Sequence, residues 1–206
     1  IMAENEPVLP VYQKLIGKAM LDGFVLIDPM DQDPRIDFLT KAGIAFVVHG
    51  RPGNSAAYPY FDIENEQLAH DLTQHLAQQG HRRIAFLNGL SGRSYVTVRE
   101  AGYVRALTAA GIAHQPHLHL NGDMDEATGL TATIRLFTGE APRPTAIVCG
   151  NVRLARGAYQ ALAALGLSVP GDVSVVAHDD ELPALRASAF FPALTVTKAP
   201  LRDSWE

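Results

Sequence analysis

The sequence predicts an α/β fold in which parallel sheets carry helices on both faces. Two observations support this prediction. Short apolar runs alternate along the chain with amphipathic segments of about ten to fifteen residues, and helix-capping residues or glycine mark the ends of those segments. Strands that alternate with helices form parallel sheets, because right-handed crossovers bring each strand back in the same direction. At least six such strands are predicted.

The clearest strand-helix-strand pattern lies in the last third of the chain. The apolar, β-branched run Thr145–Cys149 is typical of a buried parallel strand, and Asn151 soon after it is a favoured helix N-cap. Apolar residues then recur at helical spacing until Gly166, which ends the helix. A second strand, Val173–Ala177, follows, and the carboxylate of Asp179 comes soon after it.

The remaining elements are predicted by the same criteria. The other predicted strands are Phe24–Ile27, Ile44–Val48, a short one beginning at Phe61, Ile84–Leu87, His117–Leu120 and Leu194–Thr197. The other predicted helices lie within residues 1–20, from Pro34 to Gly43, after a cap at Asn65, at Val98–Ala110, at Ala127–Phe137 and around Leu182–Ala187.

The composition is that of a globular protein with its own core. The chain has 206 residues and 47% hydrophobic content, which suffices for a core without disulfide or metal support. The single cysteine, Cys149, excludes an internal disulfide and is expected to be a small core residue. No apolar run is long enough to span a bilayer and no signal-peptide pattern occurs, so we expect a cytoplasmic protein without membrane contact.

Charge and motifs limit the possible functions. A formal net charge of -5 with 17 scattered basic residues argues that these residues do not themselves form a nucleic-acid surface. The eight histidines show no metal-ligand spacing. The sequence contains no G-x-S-x-G elbow, phosphate loop or G-x-G-x-x-G turn. We therefore expect neither an enzyme nor a bound metal or cofactor.

Polar residues follow the predicted strands where open α/β sheets bind their ligands. Asn151 and Asp179 lie just past the carboxyl ends of two neighbouring strands. The Asp179 carboxylate can accept two sugar hydroxyls. Asn151 either binds a ligand or simply caps its own helix. Arg99 carries a rigid fork of donors suited to adjacent hydroxyls, unless it is an ordinary surface arginine.

Four sequence blocks occur in order along the chain: NEQLAHDLTQHLAQQGHRRIAFLNG, REAGYVRALTAAGI, PTAIVCGNVRLARGAYQALAALGLSVPGDVSVVAHDD and PALTVTKAP. As a set they resemble the effector-binding core of the lactose/galactose-repressor (LacI/GalR) family of bacterial transcription regulators. The region from Asp22 to Arg51 is similar to members that respond to plant- or α-glucoside-type sugars.

The resemblance implies a type I periplasmic-binding-protein-like fold, with two parallel-sheet α/β subdomains around a ligand cleft. Residues 1–81 would form part of the N-terminal subdomain, residues 82–191 the C-terminal subdomain, and residues 192–206 a crossover back to the first. Because family members have a helix-turn-helix DNA-binding domain in front and further elements behind, we expect both ends of this chain to be truncated.

The resemblance also implies roles for individual residues. Arg99, Asp179 and Asn151 align with residues that contact the effector, and Arg93, Tyr95 and Met124 occupy positions that line the same cleft. Methionine replaces the aromatic residue that relatives often have at position 124. Dimerisation would use Arg156, Tyr159 and the loop Pro183–Ala187.

The predicted function is therefore the ligand-sensing and dimerisation domain of a transcriptional regulator, a repressor in the family's pattern. A mono- or disaccharide effector would bind in the cleft and control allosterically how a homodimer binds operator DNA, through a helix-turn-helix domain not present in this sequence. The alternative is the sugar-binding protein of an ABC transporter, which would be a monomer.

Overall fold

A computed structural model describes residues 8–17, 21–51, 58–179 and 185–199. The described chain divides into two compact units. The first contains the described residues up to Asp62 together with Gly92–Tyr95, and the second contains Ile63–Ser91 and the described residues from Val96 onward. These units do not coincide with the expected subdomain bounds of 1–81, 82–191 and 192–206, which stay a prediction.

The first unit is a parallel sheet of three strands in the order β1-β2-β3. Its elements are α1 (Val8–Gly17), β1 (Phe24–Ile27), α2 (Pro34–Ala42), β2 (Phe46–His49) and β3 (Tyr60–Phe61). As predicted, α2 begins at a proline and ends at Gly43, whose φ of 65° requires the left-handed conformation that glycine adopts readily. The buried core residues of this unit are Tyr12, Leu26, Ile36, Leu39 and Val48.

The second unit is a parallel sheet of five strands in the order β5-β4-β6-β7-β8. Its elements are α3 (Asn65–Gln78), β4 (Ile84–Asn88), α4 (Ser94–Ala109), β5 (His119–Asn121), α5 (Glu126–Thr138), β6 (Ala146–Cys149), α6 (Val152–Ala164), β7 (Ser174–Asp179) and β8 (Thr195–Lys198). The first two residues of α4 are grouped with the first unit. Because every described strand pair is parallel, the carboxyl ends of all five strands lie at one edge.

Helices cover both faces of the five-stranded sheet, as the alternating pattern predicts. On one face, α3 and α4 pack on the sheet through a cluster that includes Leu72, Tyr103, Phe86 and Val148. On the other face, a second cluster joins the sheet to α5 and α6. Strands buried on both faces read as continuous apolar runs, which explains why β4, β6 and β7 were predictable from sequence. The predicted α/β class with parallel sheets is confirmed.

Helix α3 explains where the second unit begins. Its apolar stripe contains Leu68, Leu72 and Leu76, and these side chains are buried against Phe86 and other residues of the second sheet. The stripe was predicted correctly, but periodicity shows only that a helix has a buried face and does not identify the sheet that covers it.

Several predicted boundaries differ from the structure. Helix α4 starts at Ser94, four residues before the predicted Val98. Asn65 was expected to cap α3, but it is the first residue of the helix, and its side chain bonds elsewhere. Of the helix predicted around Leu182–Ala187, residues 182–184 lie outside the described residues. A short 3₁₀ turn occupies Ala187–Ala189.

Candidate ligand-binding site

The carboxyl edge of the second sheet carries most of the predicted site residues. Strand β6 ends at Cys149, whose neighbour in β7 is Ala177. Asn151 follows β6 by two residues, and Asp179 follows Ala177 by two, so their backbones reach the same edge of the sheet. On the next strand, Lys198 is the register partner of Asp179.

Arg99 is buried at this edge and holds two other segments in place. Its side chain extends from α4 and the residue is only 5% exposed. Nε donates a hydrogen bond to Asn65 Oδ1 at 2.7 Å, and Nη1 donates to the carbonyl oxygen of Gly150 at 2.8 Å. These bonds fix the guanidinium relative to the start of α3 and the end of β6. The interpretation of Arg99 as an ordinary surface arginine is therefore wrong.

Asp179 ends β7 and is 2% exposed. It lines a cavity of about 360 Å³ together with Arg186, Ala187, Ser188 and Lys198. A buried carboxylate beside a cavity can accept hydrogen bonds from a hydroxylated ligand. This position supports the predicted role of Asp179 in ligand binding, which stays a prediction.

Asn151 caps its own helix, which was one of its two predicted roles. Its Oδ1 accepts a hydrogen bond from the backbone nitrogen of Leu154 at 2.8 Å, and its Nδ2 donates to the carbonyl oxygen of Met124 at 3.0 Å. Both ends of the amide thus contact protein, and the cap stabilises the first turn of α6. A contact between Asn151 and a ligand stays a prediction.

Met124 lies against the turn that follows β6. A Cβ atom placed on Gly150 would be 3.1 Å from Met124 Cε and 3.2 Å from the carbonyl oxygen of Leu87. Glycine at position 150 therefore allows the methionine to approach the backbone closely. Met124, Gly150, Asn151 and Arg99 form one connected group of contacts at the carboxyl edge.

Arg93 and Tyr95 belong to the first unit. Arg93 Nε lies 3.2 Å from Asp28 Oδ2, and its Nη1 donates to the carbonyl oxygen of Asp28 at 3.1 Å. Burial raises the pKa of Asp28, although the neighbouring Arg93 guanidinium acts in the opposite direction. Tyr95 is partly buried in the first turn of α4. The predicted ligand contacts of both residues stay predictions.

Three residues at the carboxyl edge of the second sheet were not predicted. Asn65 accepts the bond from Arg99. Asn88, 1% exposed, ends β4, donates from Nδ2 to the carbonyl oxygen of Val96 at 3.0 Å and accepts from the backbone nitrogen of Gly89 at 2.9 Å. Lys198 lines the cavity beside Asp179. A polar residue at the end of an apolar run is a signal that would have identified Asn88 and Lys198.

The described residues contain a buried cysteine and no evident metal-ligand cluster. Within residues 8–17, 21–51, 58–179 and 185–199, no group of three or more His, Cys, Asp or Glu side chains could hold a metal ion. Burial raises the pKa of the Cys149 thiol, so the thiol stays protonated at neutral pH. No helix in these same ranges is both long and apolar enough to cross a membrane.

Sequence comparison places the chain among known regulators. Residues 73–204 match the family model of a periplasmic binding protein-like domain. The HTH-type transcriptional regulator AglR of Rhizobium meliloti is 35% identical over 192 residues, which cover 93% of this chain and 54% of that protein. RafR of Escherichia coli, also named an HTH-type transcriptional regulator, is 36% identical over 82% of this chain and 49% of its own length. The chain thus spans about half the length of these curated relatives, which are regulators and not enzymes.

Solved structures agree with this placement. A regulatory protein of the LacI family from Chloroflexus aggregans superimposes with a TM-score of 0.84 at 29% identity, over 98% of this chain and 72% of that one. The complex of the transcriptional regulator CelR with cellobiose superimposes with a TM-score of 0.82 at 30% identity, over 94% of this chain and 59% of that one.

Proposed function

The chain belongs to the periplasmic binding protein-like domain family, in the form carried by LacI-family regulators, and we propose that it is the effector-sensing domain of a bacterial transcriptional regulator. The relatives AglR and RafR support this proposal because both are named HTH-type transcriptional regulators. They also favour it over the transporter alternative, in which the chain would deliver sugar to a membrane complex.

The proposed effector is a small sugar. The observation that carries this proposal is the placement of Arg99 and Asp179 at the carboxyl edge of one parallel sheet, because a guanidinium donates to vicinal hydroxyls and a carboxylate accepts from them. The neighbouring structure of CelR contains cellobiose. In the proposed site Asp179 and Arg99 contact the sugar directly, and Asn151 and Met124 are further ligand contacts.

The proposed partners are a second copy of the chain and operator DNA. Tyr159 on α6 donates to the carbonyl oxygen of Pro192 at 3.2 Å and packs edge-on against Phe190, with ring centroids 5.1 Å apart. These contacts fix the two residues on either side of Phe191, whose own side chain is 96% exposed. An exposed aromatic side chain on a loop held by such contacts is suited to a homodimer interface. DNA would be bound by a helix-turn-helix domain outside this sequence, in the cytoplasm.

The proposed mechanism is a population shift. An effector that binds one conformation of the sensing domain more tightly than another moves the protein toward that conformation. The bound effector then changes the free energy of DNA binding. By thermodynamic linkage, bound DNA changes the free energy of effector binding by the same amount.

A thermal-shift screen with neutral sugars tests the proposed function. Glucose, galactose, sucrose and cellobiose are added to the wild-type chain, and a sugar that binds the folded state must raise the melting temperature. Asp179→Asn should abolish the shift for the sugar that binds. Asp71→Asn, on the exposed side of α3, is the matched control and should retain it. If none of these sugars raises the melting temperature, the result contradicts the proposal.

A further inference from the structure

The hydrogen bond between Arg99 and Asn65 joins two helices at the carboxyl edge of the second sheet. Arg99 lies in the second turn of α4, and Asn65 is the first residue of α3. Both residues belong to the second unit, and they are only 5% and 4% exposed. Nε of Arg99 donates to Oδ1 of Asn65 at 2.7 Å. Because water does not compete for a bond buried in this way, the bond holds the guanidinium in one orientation.

The side-chain amide of Asn65 is itself held in one orientation. A guanidinium donates hydrogen bonds and never accepts them, so the amide must present its oxygen to Arg99. The amide nitrogen Nδ2 points the other way and donates to the carbonyl oxygen of Ile63 at 3.3 Å. The backbone nitrogen of Asn65 donates to the same carbonyl oxygen at 2.7 Å. The turn before α3 thus orients the amide, and the amide orients the guanidinium.

The backbones of α3 and α4 are in contact close to this bond. Gly102 follows Arg99 by three residues on α4, and Glu66 follows Asn65 directly on α3. A Cβ atom placed on Gly102 would overlap the carbonyl oxygen of Glu66. Main-chain contact, and not the flexible ends of side chains, therefore sets the distance between the two helices here. Asn65 is a rigid support for Arg99.

The other acceptor of Arg99 belongs to the backbone. Nη1 of Arg99 donates to the carbonyl oxygen of Gly150 at 2.8 Å. The backbone nitrogen of Gly150 donates in turn to the carbonyl oxygen of Leu87 at 2.8 Å. Of these two acceptors only Asn65 is a side chain, so a substitution at position 65 removes one support of the guanidinium and leaves the other in place.

We propose, on the basis of the proposed function, that Asn65 is a positioning residue for effector binding, which holds the Arg99 guanidinium in its binding orientation before the sugar binds. A long side chain that becomes ordered only during binding lowers the affinity, because it loses rotamer freedom at that step. With Asn65 in place, Arg99 is ordered when the protein folds, and the sugar binds a site that is already formed.

Isothermal titration calorimetry with glucose, galactose, sucrose and cellobiose tests this proposal on the wild-type chain and its variants. Asn65→Leu fills a similar space but has no acceptor. It should weaken binding of the sugar that the wild type binds by about five- to tenfold, as expected when one long side chain must be ordered on binding. Asn65→Asp keeps an oxygen that can accept from Nε and should bind within about threefold of the wild type.

Tyr103→Phe is the matched control, because it removes a buried hydrogen bond from the same helix. Tyr103 is 1% exposed, and its hydroxyl donates to the carbonyl oxygen of Ile84 at 2.7 Å. Ile84 begins β4 and lies at the end of that strand opposite the carboxyl edge. Tyr103→Phe should have a lower urea-unfolding midpoint than the wild type and an unchanged affinity for the sugar. A merely structural role of Asn65 would give Asn65→Leu the same pattern.

A measurement on the sugar-free wild-type chain tests the orientation of Arg99 directly. The Nε proton of Arg99 is assigned in proton–nitrogen NMR spectra by its absence from the Arg99→Lys variant. It should exchange with water at least about tenfold more slowly than the Nε proton of Arg135, which is exposed on α5. Equally fast exchange of the two protons would overturn the proposal, even if Asn65→Leu fails to fold.

The outcomes separate this proposal from the proposed function. Weaker binding by Asn65→Leu, with recovery in Asn65→Asp, supports the proposal. An Asn65→Leu variant that binds the sugar as tightly as the wild type overturns it and leaves the proposed function standing. An Asn65→Asp variant as weak as Asn65→Leu also overturns it, because the acceptor oxygen would then not determine affinity. If none of the four sugars binds the wild-type chain, the proposed function fails, and the positioning role fails with it.

Discussion

At the scale of single residues, Arg99 is a structural residue whatever ligand it contacts. Its guanidinium is buried and bonded to Asn65 Oδ1 and to the carbonyl oxygen of Gly150. Removing the Arg99 side chain takes this hydrogen-bond donor away from both oxygen atoms. A loss of ligand binding in an Arg99 variant can therefore reflect an altered site as well as a lost ligand contact.

Arg99→Ala should lower the free energy of unfolding by about 2–4 kcal/mol, because two buried acceptors lose a charged donor. Arg105→Ala is the matched control on the same helix. Arg105 pairs with Glu66 at the surface, where both side chains are almost half exposed, and its loss should cost less than about 1 kcal/mol. Urea unfolding measures both values. Equal values for the two variants would show that the Arg99 bonds contribute little.

Asn151 allows its two hydrogen bonds to be measured separately. Asn151→Ser keeps an oxygen that can cap Leu154 but removes the donor to Met124, whereas Asn151→Ala removes both. We expect Asn151→Ala to cost about 2 kcal/mol and Asn151→Ser about half of that. Thermal and urea unfolding give the comparison. A serine variant as unstable as the alanine variant would mean that the cap contributes nothing.

His119 should make the stability of the second unit depend on pH. Its side chain is 8% exposed, with Nδ1 3.3 Å from Glu100 Oε1 and the ring stacked on Phe86. Burial lowers the pKa of His119; the charge of Glu100 opposes this shift, while His114 adds to it. Because the folded state favours the neutral ring, this contribution is complete above the unfolded value of about 6.5 and is lost as the pH falls below it.

Urea unfolding between pH 7.5 and pH 5 checks this prediction. The wild-type chain should lose stability as the pH falls, and His119→Asn, which keeps a nitrogen near the position of Nδ1, should lose less. His75→Gln, at an exposed position on α3, should retain the wild-type slope. An unchanged slope in the His119 variant would contradict the assignment.

At the scale of elements, the sequence predicts most of the strands and helices for a simple reason. Runs such as Ile84–Leu87 and Ala146–Cys149 are buried on both faces, so the whole run is apolar and easy to recognise. Helix ends were less predictable, because the start of α4 at Ser94 and the first residue of α3 at Asn65 depend on contacts with distant segments. Arg99 bonds to both Asn65 and Gly150, and local sequence patterns do not reveal contacts between segments so far apart in the chain.

The packing of α5 against α6 depends on two glycines that sequence patterns did not identify. A Cβ atom on Gly129 would overlap the carbonyl oxygen of Leu154, and one on Gly157 would overlap that of Glu126. The backbones of the two helices can approach this closely only because both positions lack a side chain.

Gly157→Ala should therefore lower the free energy of unfolding by about 2 kcal/mol or more, since the added methyl group must push the helices apart. The same substitution at Gly17, where no atom lies within 4 Å of the added Cβ, is the control and should be neutral. Thermal unfolding distinguishes the two variants. A Gly157 variant as stable as the wild type would show that α6 can shift without cost.

At the scale of the whole molecule, the parts that the sequence could not predict are those made by several elements at once. The cavity beside Asp179 also has Arg186 and Lys198 in its lining, from different segments, and of these three residues the family resemblance assigns only Asp179 to the ligand. The assignment of α3 to the second unit likewise depends on which sheet covers its apolar stripe. Tertiary packing decides both features.

Self-association is testable through Phe191. Phe191→Ser should weaken the proposed homodimer by about tenfold or more, because exposed aromatic residues often dominate interface energies. Leu90→Ser, which removes another exposed apolar side chain, is the control and should leave association unchanged. Analytical ultracentrifugation measures both variants. A wild-type chain that sediments as a monomer at all concentrations would contradict the proposed dimer.

The strand order of the second sheet has a consequence for how the protein is made. Strand β4 pairs first with β5 and then with β6, after which β7 joins β6 and β8 joins β7. A ribosome releases these strands in that same order, so each new strand finds an open partner edge already in place. No pair has to be broken to admit a later strand. The sheet can thus grow outward from β4 while translation is still in progress.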